Sequence, residues 1–139
     1  VSYGNEKIWD VLAENPRNRV VVFGEQPEML RFPCSTQSYT DIEGSGGNFN
    51  LSSSPEALAE FFTFAGVDHI YLGSGYLKPG TDGFRNVTGL LKQGYLSDLL
   101  YENGNGLAVF SPEPRELSAE ESEALLAEFT EKYWPGEQQ

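Results

Sequence analysis

Apolar residues recur at helical spacing in some stretches of this chain and run together in short blocks in others, and the two patterns alternate. Over residues 5–14, Ile8, Trp9, Leu12 and Ala13 fall on one helical face, and Asn15-Pro16 ends it, because a residue before proline is pushed out of the helical region. Residues 19–23 (RVVVF) form a continuously apolar, β-branched run closed by Gly24, the pattern of an interior strand buried on both faces. Residues 27–30 suggest a helical turn. Residues 35–40 are polar but rich in Ser, Thr and Tyr, which predicts a weaker, peripheral strand. Residues 43–54 have the small, polar composition of a loop.

The next helix has a sharp start, with Ser54 as N-cap, Pro55 at the first helical position and Glu56 near the positive end of the dipole. Leu58, Phe61, Phe62 and Ala65 form its apolar face, and Gly66 stops it. Residues 67–72 (VDHIYL) then read as a strand closed by Gly73, and a helix, a glycine and a buried strand in that order mark a βαβ unit. After a loop over residues 74–83, Phe84, Val87, Leu90 and Leu91 predict another helix, ended at Gly94. Residues 96–101 and 107–110 flank ENGNG, whose two Asn-Gly pairs offer the positive φ angles of a tight antiparallel hairpin. Ser118 and Glu121 form a capping box ahead of Leu125, Leu126, Phe129 and Tyr133 on a last helix. The expected fold is one α/β domain over residues 1–134 with a flexible tail at 135–139. Its mainly parallel, Rossmann-like central sheet ends in an antiparallel hairpin, with helices on both faces in a three-layer arrangement.

Charge narrows the partners. The 139 residues carry 9 Lys and Arg against 21 Asp and Glu, a formal net charge of −12, and half of that excess lies in the tail from Glu113. Nucleic acid and anionic lipid surfaces are bound through clustered Lys and Arg, so such a chain repels them. No apolar stretch approaches the roughly 20 residues that span a bilayer. Cys34 is the single cysteine, which excludes an internal disulfide and a cysteine-cluster metal site. The chain begins at Val1 and contains one Met, and is therefore expected to be a fragment or a processed product.

The residues offer little catalytic chemistry. His69 is the lone histidine and falls inside a predicted buried strand, where a structural role is expected, and no Gly-x-Ser-x-Gly elbow accompanies it. Cys34 reads as a small semi-buried residue rather than a nucleophile. Gly73 and Gly75 follow a strand as a phosphate-cradling turn would, but the third glycine of a dinucleotide fingerprint is missing. Glu25, Asp41, Glu43 and Asp82 sit in predicted loops where paired carboxylates could serve glycoside hydrolysis, though 21 acids make such coincidences common. No calcium-loop spacing occurs. No catalytic residue, metal or cofactor is therefore assigned. Ligands of open α/β sheets bind beyond the carboxyl ends of the strands, and that edge carries Glu25, Ser74, Tyr76 and Lys78, the candidate ligand-binding residues. Among the aromatics, Tyr76 is the one expected to face a ligand. Two Asn-x-Ser/Thr sequons occur, at Asn50 and Asn86.

Residues 5 to about 111 resemble the soluble C-terminal domains attached to polytopic glycosyltransferases of the protein-mannosyltransferase type. The resemblance is carried by the helix leading into residues 15–24 (NPRNRVVVFG), by residues 54–72 (SPEALAEFFTFAGVDHIYL) and by residues 101–110 (YENGNGLAVF). It implies a non-catalytic, extracytoplasmic accessory domain that partners the membrane-embedded part of its own parent chain and meets a glycan or a polyprenyl-linked sugar acceptor. In such enzymes the polyprenyl-phosphate sugar is used by acidic loop residues of the membrane part, so no catalytic residue carries over to this chain. Two other expectations stand beside it: a secreted or lipid-anchored ligand-binding domain, and a small Rossmann-like nucleotide-binding enzyme.

Overall fold

The run of Val and Phe at residues 19–23 has the β-branched, apolar character that favours burial between neighbouring strands. In the computed structural model, which describes residues 4–24, 30–39 and 54–133, it forms β1 (Arg19–Phe23), with every residue after Arg19 buried. β2 (Ser35–Ser38) lies along one side of β1 and β3 (His69–Leu72) along the other, both parallel to it. β5 (Asn105–Phe110) then pairs antiparallel with β3, and β4 (Leu96–Glu102) antiparallel with β5, so the order across the sheet is β2-β1-β3-β5-β4. The sheet is thus mixed, with two parallel and two antiparallel ladders, rather than mainly parallel as the pattern predicts. The reason is the hairpin, which docks through β5 against the middle strand β3. The weak polar strand β2 is at the edge, as its composition implies.

Helix boundaries follow their capping residues. α1 (Glu6–Ala13) buries Ile8 and Leu12, half-buries Trp9 and leaves Ala13 exposed, so the apolar face turns toward Val11 instead. α2 (Pro55–Ala65) starts where the Ser54 hydroxyl accepts the Ala57 N–H at 3.0 Å, and ends at Gly66, whose φ of 70° is left-handed. α3 (Asp82–Lys92) is capped by Thr81, whose hydroxyl accepts the Phe84 N–H at 3.3 Å. The capping box of α4 (Ala119–Tyr133) is reciprocal: Glu121 N–H donates to the Ser118 hydroxyl at 3.1 Å and Ser118 N–H to the Glu121 carboxylate at 3.0 Å. The Ser118 bonds also hold the Glu121 carboxyl below its usual range.

Side chains alternate across a strand, and the two sets find different partners. Val21, Phe23, Ile70, Leu72 and Ala108 pack with Leu58 and Phe62 of α2, Leu90 and Leu91 of α3, and Phe129 and Tyr133 of α4. Val20, Val22, Tyr71 and Leu107 pack with Ile8 and Leu12 of α1, with Trp9, Phe32 and Leu100 at the margin. Burying a Phe or Leu side chain stabilises by about 1.5–3 kcal/mol, so the first cluster carries the larger share of the fold's stability.

The β4–β5 hairpin turns on Asn103 and Gly104, with φ of 52° and 80°, while Glu102 pairs with Asn105. Two successive positive φ angles are the mark of a type I′ turn, whose twist suits two-residue hairpins. Of the two Asn-Gly pairs, only the first makes the turn; Asn105 and Gly106 belong to β5. The expected helical turn at residues 27–30 falls outside the described residues up to Leu30, as do most of the expected loop at 43–54 and the tail at 135–139.

Candidate functional site: a cleft over the strand ends

β1 and β3 run parallel and both stop at a glycine, so Gly24 and Gly73 lie side by side, and Gly73 N–H closes the ladder on the Phe23 carbonyl at 2.8 Å. Lacking side chains, they leave the space beyond the strand ends open. A cleft of about 630 Å³ occupies it. Its walls are the loop after β3 with Ser74, Tyr76 and Lys78, the first residue of β5, Asn105, the residue before α1, Asn5, the end of Tyr71, and Leu30.

A row of polar groups runs along this cleft. The backbone N–H of Ser74 donates to the side-chain oxygen of Asn105 at 2.8 Å. The Asn105 amide nitrogen donates to the side-chain oxygen of Asn5 at 2.9 Å, and the Asn5 amide nitrogen to the Tyr71 hydroxyl at 3.0 Å. Asn5 and Tyr71 are each 1% exposed. Burial pushes the Tyr71 hydroxyl above the usual tyrosine range, the Asn5 bond pulls against that, and the Glu102 carboxylate reinforces it. The hydroxyl therefore keeps its proton at neutral pH.

Two further sets of contacts hold the walls. The hairpin tip clasps the start of α1: Glu102 accepts the Lys7 N–H at 3.0 and 3.2 Å and the Ile8 N–H at 3.2 Å, and Asn103 donates to the Gly4 carbonyl at 2.8 Å. A carboxylate placed on helix N–H groups that lack partners within the helix is favoured by the dipole as well. On the opposite side, the Tyr133 hydroxyl at the end of α4 donates to the Gly73 carbonyl and accepts the Leu77 N–H at 3.3 Å, which pins the loop after β3. Burial raises the Tyr133 hydroxyl to about 12.

Of the four residues expected at this edge, the structure brings Ser74, Tyr76 and Lys78 to one cleft, and Glu25 lies outside the described residues. Sequence reasoning missed Asn5, Tyr71 and Asn105. Asn5 read as a helix start, Asn105 as part of a turn and Tyr71 as core. The available signal was the position of Tyr71, one residue from the carboxyl end of a buried strand, where a ring can be buried while its hydroxyl reaches the strand end.

His69 is 9% exposed inside β3, with its Nδ1 lacking a hydrogen-bond partner, and burial lowers its pKa against the opposing pull of Asp68 and Asp98. Burial, aided by Asp68, raises the Cys34 thiol, so it is less of a thiolate than a free cysteine. Asp82 opens α3 and pairs with Arg85 at 2.8 Å; its three companion loop acids are outside the described residues. Asn86 is fully buried, so that sequon is closed to modification in the folded chain. Among the described residues no three His, Cys, Asp or Glu side chains converge as metal ligands, and no helix is long and apolar enough to cross a membrane.

Comparison with known protein families, with characterised proteins and with solved structures finds no match to this chain.

Proposed function

We propose that the chain is a non-catalytic accessory domain of a membrane-embedded glycosyltransferase, held on the extracytoplasmic side through its parent chain, and that the cleft over the strand ends receives the sugar of a glycan or lipid-linked acceptor. The observation that carries this reading is the lining itself: amides of Asn5 and Asn105, hydroxyls of Ser74 and Tyr71 and the ring of Tyr76 around about 630 Å³. Pockets of about 300–1,000 Å³ suit small ligands, and a polyhydroxylated ring is bound by fixed amides and hydroxyls beside an aromatic face. A Rossmann-like, three-layer fold belongs to the same proposal, supported by the separate packing of α1 and of α2–α4 on the two sets of strand side chains. In that arrangement ligands bind beyond the carboxyl ends of the strands.

The nucleotide-binding alternative is disfavoured by what the loop does with its backbone. A phosphate cradle needs N–H groups aimed at the ligand. Here Gly73 N–H goes to Phe23, Ser74 N–H to Asn105 and Tyr76 N–H to the Gly73 carbonyl at 3.1 Å.

An immunoblot of fractionated native cells with antibody against this domain tests the assignment. A band several times larger than the 15.4 kDa of this chain, retained on washed membranes, is the expected result. A soluble or secreted band near that mass, or sugar transfer by the isolated domain, overturns it.

A further inference from the structure

The loop after β3 borders two cavities. One is the cleft over the strand ends. The other, of about 380 Å³, is lined by Tyr39, Tyr76, Leu77, Thr81, Asp82 and Gly83. Tyr76 is common to both linings, and its half-buried ring packs at the margin of the larger core cluster. This stretch of backbone is fixed, because the Tyr133 hydroxyl holds the Gly73 carbonyl ahead of Tyr76 and the Leu77 N–H after it. The relation of the two cavities is therefore set by the fold.

The second cavity combines apolar and polar groups. Leu77 and Tyr39 are buried, and the Tyr39 ring is stacked on Phe23 with centroids 4.3 Å apart. Gly83 leaves the space between them clear, since a Cβ there would lie 3.2 Å from Leu77 and 3.4 Å from Tyr39. The Thr81 hydroxyl is turned onto the chain, donating to the Lys78 carbonyl at 2.7 Å and accepting the Phe84 N–H at 3.3 Å. Asp82 is exposed, and one of its oxygens meets Arg85 at 2.8 Å. An ionised carboxylate has about four acceptor sites, so Asp82 supplies the cavity with an acceptor for hydroxyl hydrogens.

We propose that the ligand is a glycan of at least two linked sugar units, one in the cleft over the strand ends and the next in the Asp82 cavity, with Tyr76 between them. This rests on the assignment of the cleft to a saccharide. A monosaccharide uses one cavity and leaves the other idle. A second unit brings hydroxyls that donate to Asp82 and a C–H face that meets Leu77 and Tyr39, and hydrogen bonds to a charged acceptor are stronger than neutral ones. The pinned loop has little freedom left to lose on binding, so the second unit adds its contacts at a low ordering cost. A hydrocarbon chain is the poorer occupant, because it would strip water from the Asp82 carboxylate without replacing its hydrogen bonds.

The test is titration of the 15N-labelled chain with glucose, mannose and galactose and with the disaccharides of each, following the backbone N–H signals of Ser74, Asn105, Thr81 and Gly83. A monosaccharide is expected to shift Ser74 and Asn105 alone. Its disaccharide should shift all four signals and bind at least about ten-fold more tightly. Asp82→Ala changes an exposed side chain outside the first cavity, and should erase that gain while leaving the monosaccharide unchanged. Arg85→Ala breaks the same ion pair but keeps the carboxylate, and should preserve the gain. A disaccharide no tighter than its monosaccharide, one that leaves Thr81 and Gly83 unshifted, or a gain that survives Asp82→Ala overturns the two-unit proposal while leaving the cleft a single-sugar site. No shift with any of the sugars overturns the saccharide assignment and the proposal with it.

Discussion

His69 is held in β3 with an orphaned ring nitrogen, and burial lowers its pKa below the ordinary 6.5. Protonation therefore favours the unfolded chain. The stability tied to a neutral His69 is complete above about pH 6.5 and is lost as pH falls through the lowered folded value, at up to about 1.4 kcal/mol per pH unit. The thermal midpoint should drop between pH 7 and pH 5.5, before most carboxylates titrate, and His69→Gln should flatten that slope in a melting series. A chain that melts identically at both pH values would mean that the imidazole is protonated in place. Gly89 sets a steric limit of another kind. A Cβ there would lie 2.2 Å from Cγ of Pro55, the first residue of α2. Alanine in a helix interior gains about 1 kcal/mol over glycine, but forcing a rigid ring out of a packed contact costs about 1–3 kcal/mol or more. Gly89→Ala is expected to lower the midpoint of urea unfolding, despite being helix-favouring.

Among the elements, the β4–β5 hairpin does more than end the sheet. Through Glu102 and Asn103 it holds the start of α1, a helix of eight residues that is too short to persist alone. Glu102→Gln should retain the geometry but lose the charge on the helix N-terminus, for a loss of about 1 kcal/mol. Amide exchange in α1 should rise more than in α3, and equal protection of both helices would show that the clasp is dispensable. The sequence announces most of these elements, because each carries its signal locally: Ser54-Pro55 and Gly66 bracket α2, Ser118 with Glu121 opens α4, and RVVVF is a strand at sight. It is silent on the pairing of β5 with β3, which gives the sheet its mixed character, since that is decided by which face of Leu107 and Ala108 meets which cluster. The cleft is partly legible for the same reason. Ser74, Tyr76 and Lys78 follow a strand end and can be found by rule, whereas Asn5 and Asn105 meet across 100 positions and carry no local mark.

For the whole molecule, charge is the dominant long-range term. An excess of 12 negative charges on a 15.4 kDa body repels itself in the folded state more than in the expanded one. Raising the salt from about 0.02 to 0.2 M shortens the screening length from roughly 20 Å to below 10 Å. The thermal midpoint is therefore expected to rise by a few degrees over that range, and a fall would show that attractive pairs, such as Lys132 with Glu128 at 3.7 Å, outweigh the repulsion. The Tyr133 bond to the loop after β3 matters in a different way. The cleft takes its parts from Asn5, Gly24, Gly73 and Asn105, and its loop is pinned by a residue 60 positions further along than the carbonyl it holds. During synthesis, which proceeds from the amino end, Asn5 emerges long before its partner Asn105, and Gly73 long before Tyr133. The cleft is thus among the last features of the chain to be completed, and a nascent chain stalled short of α4 would present strands and helices but no finished cleft over the strand ends.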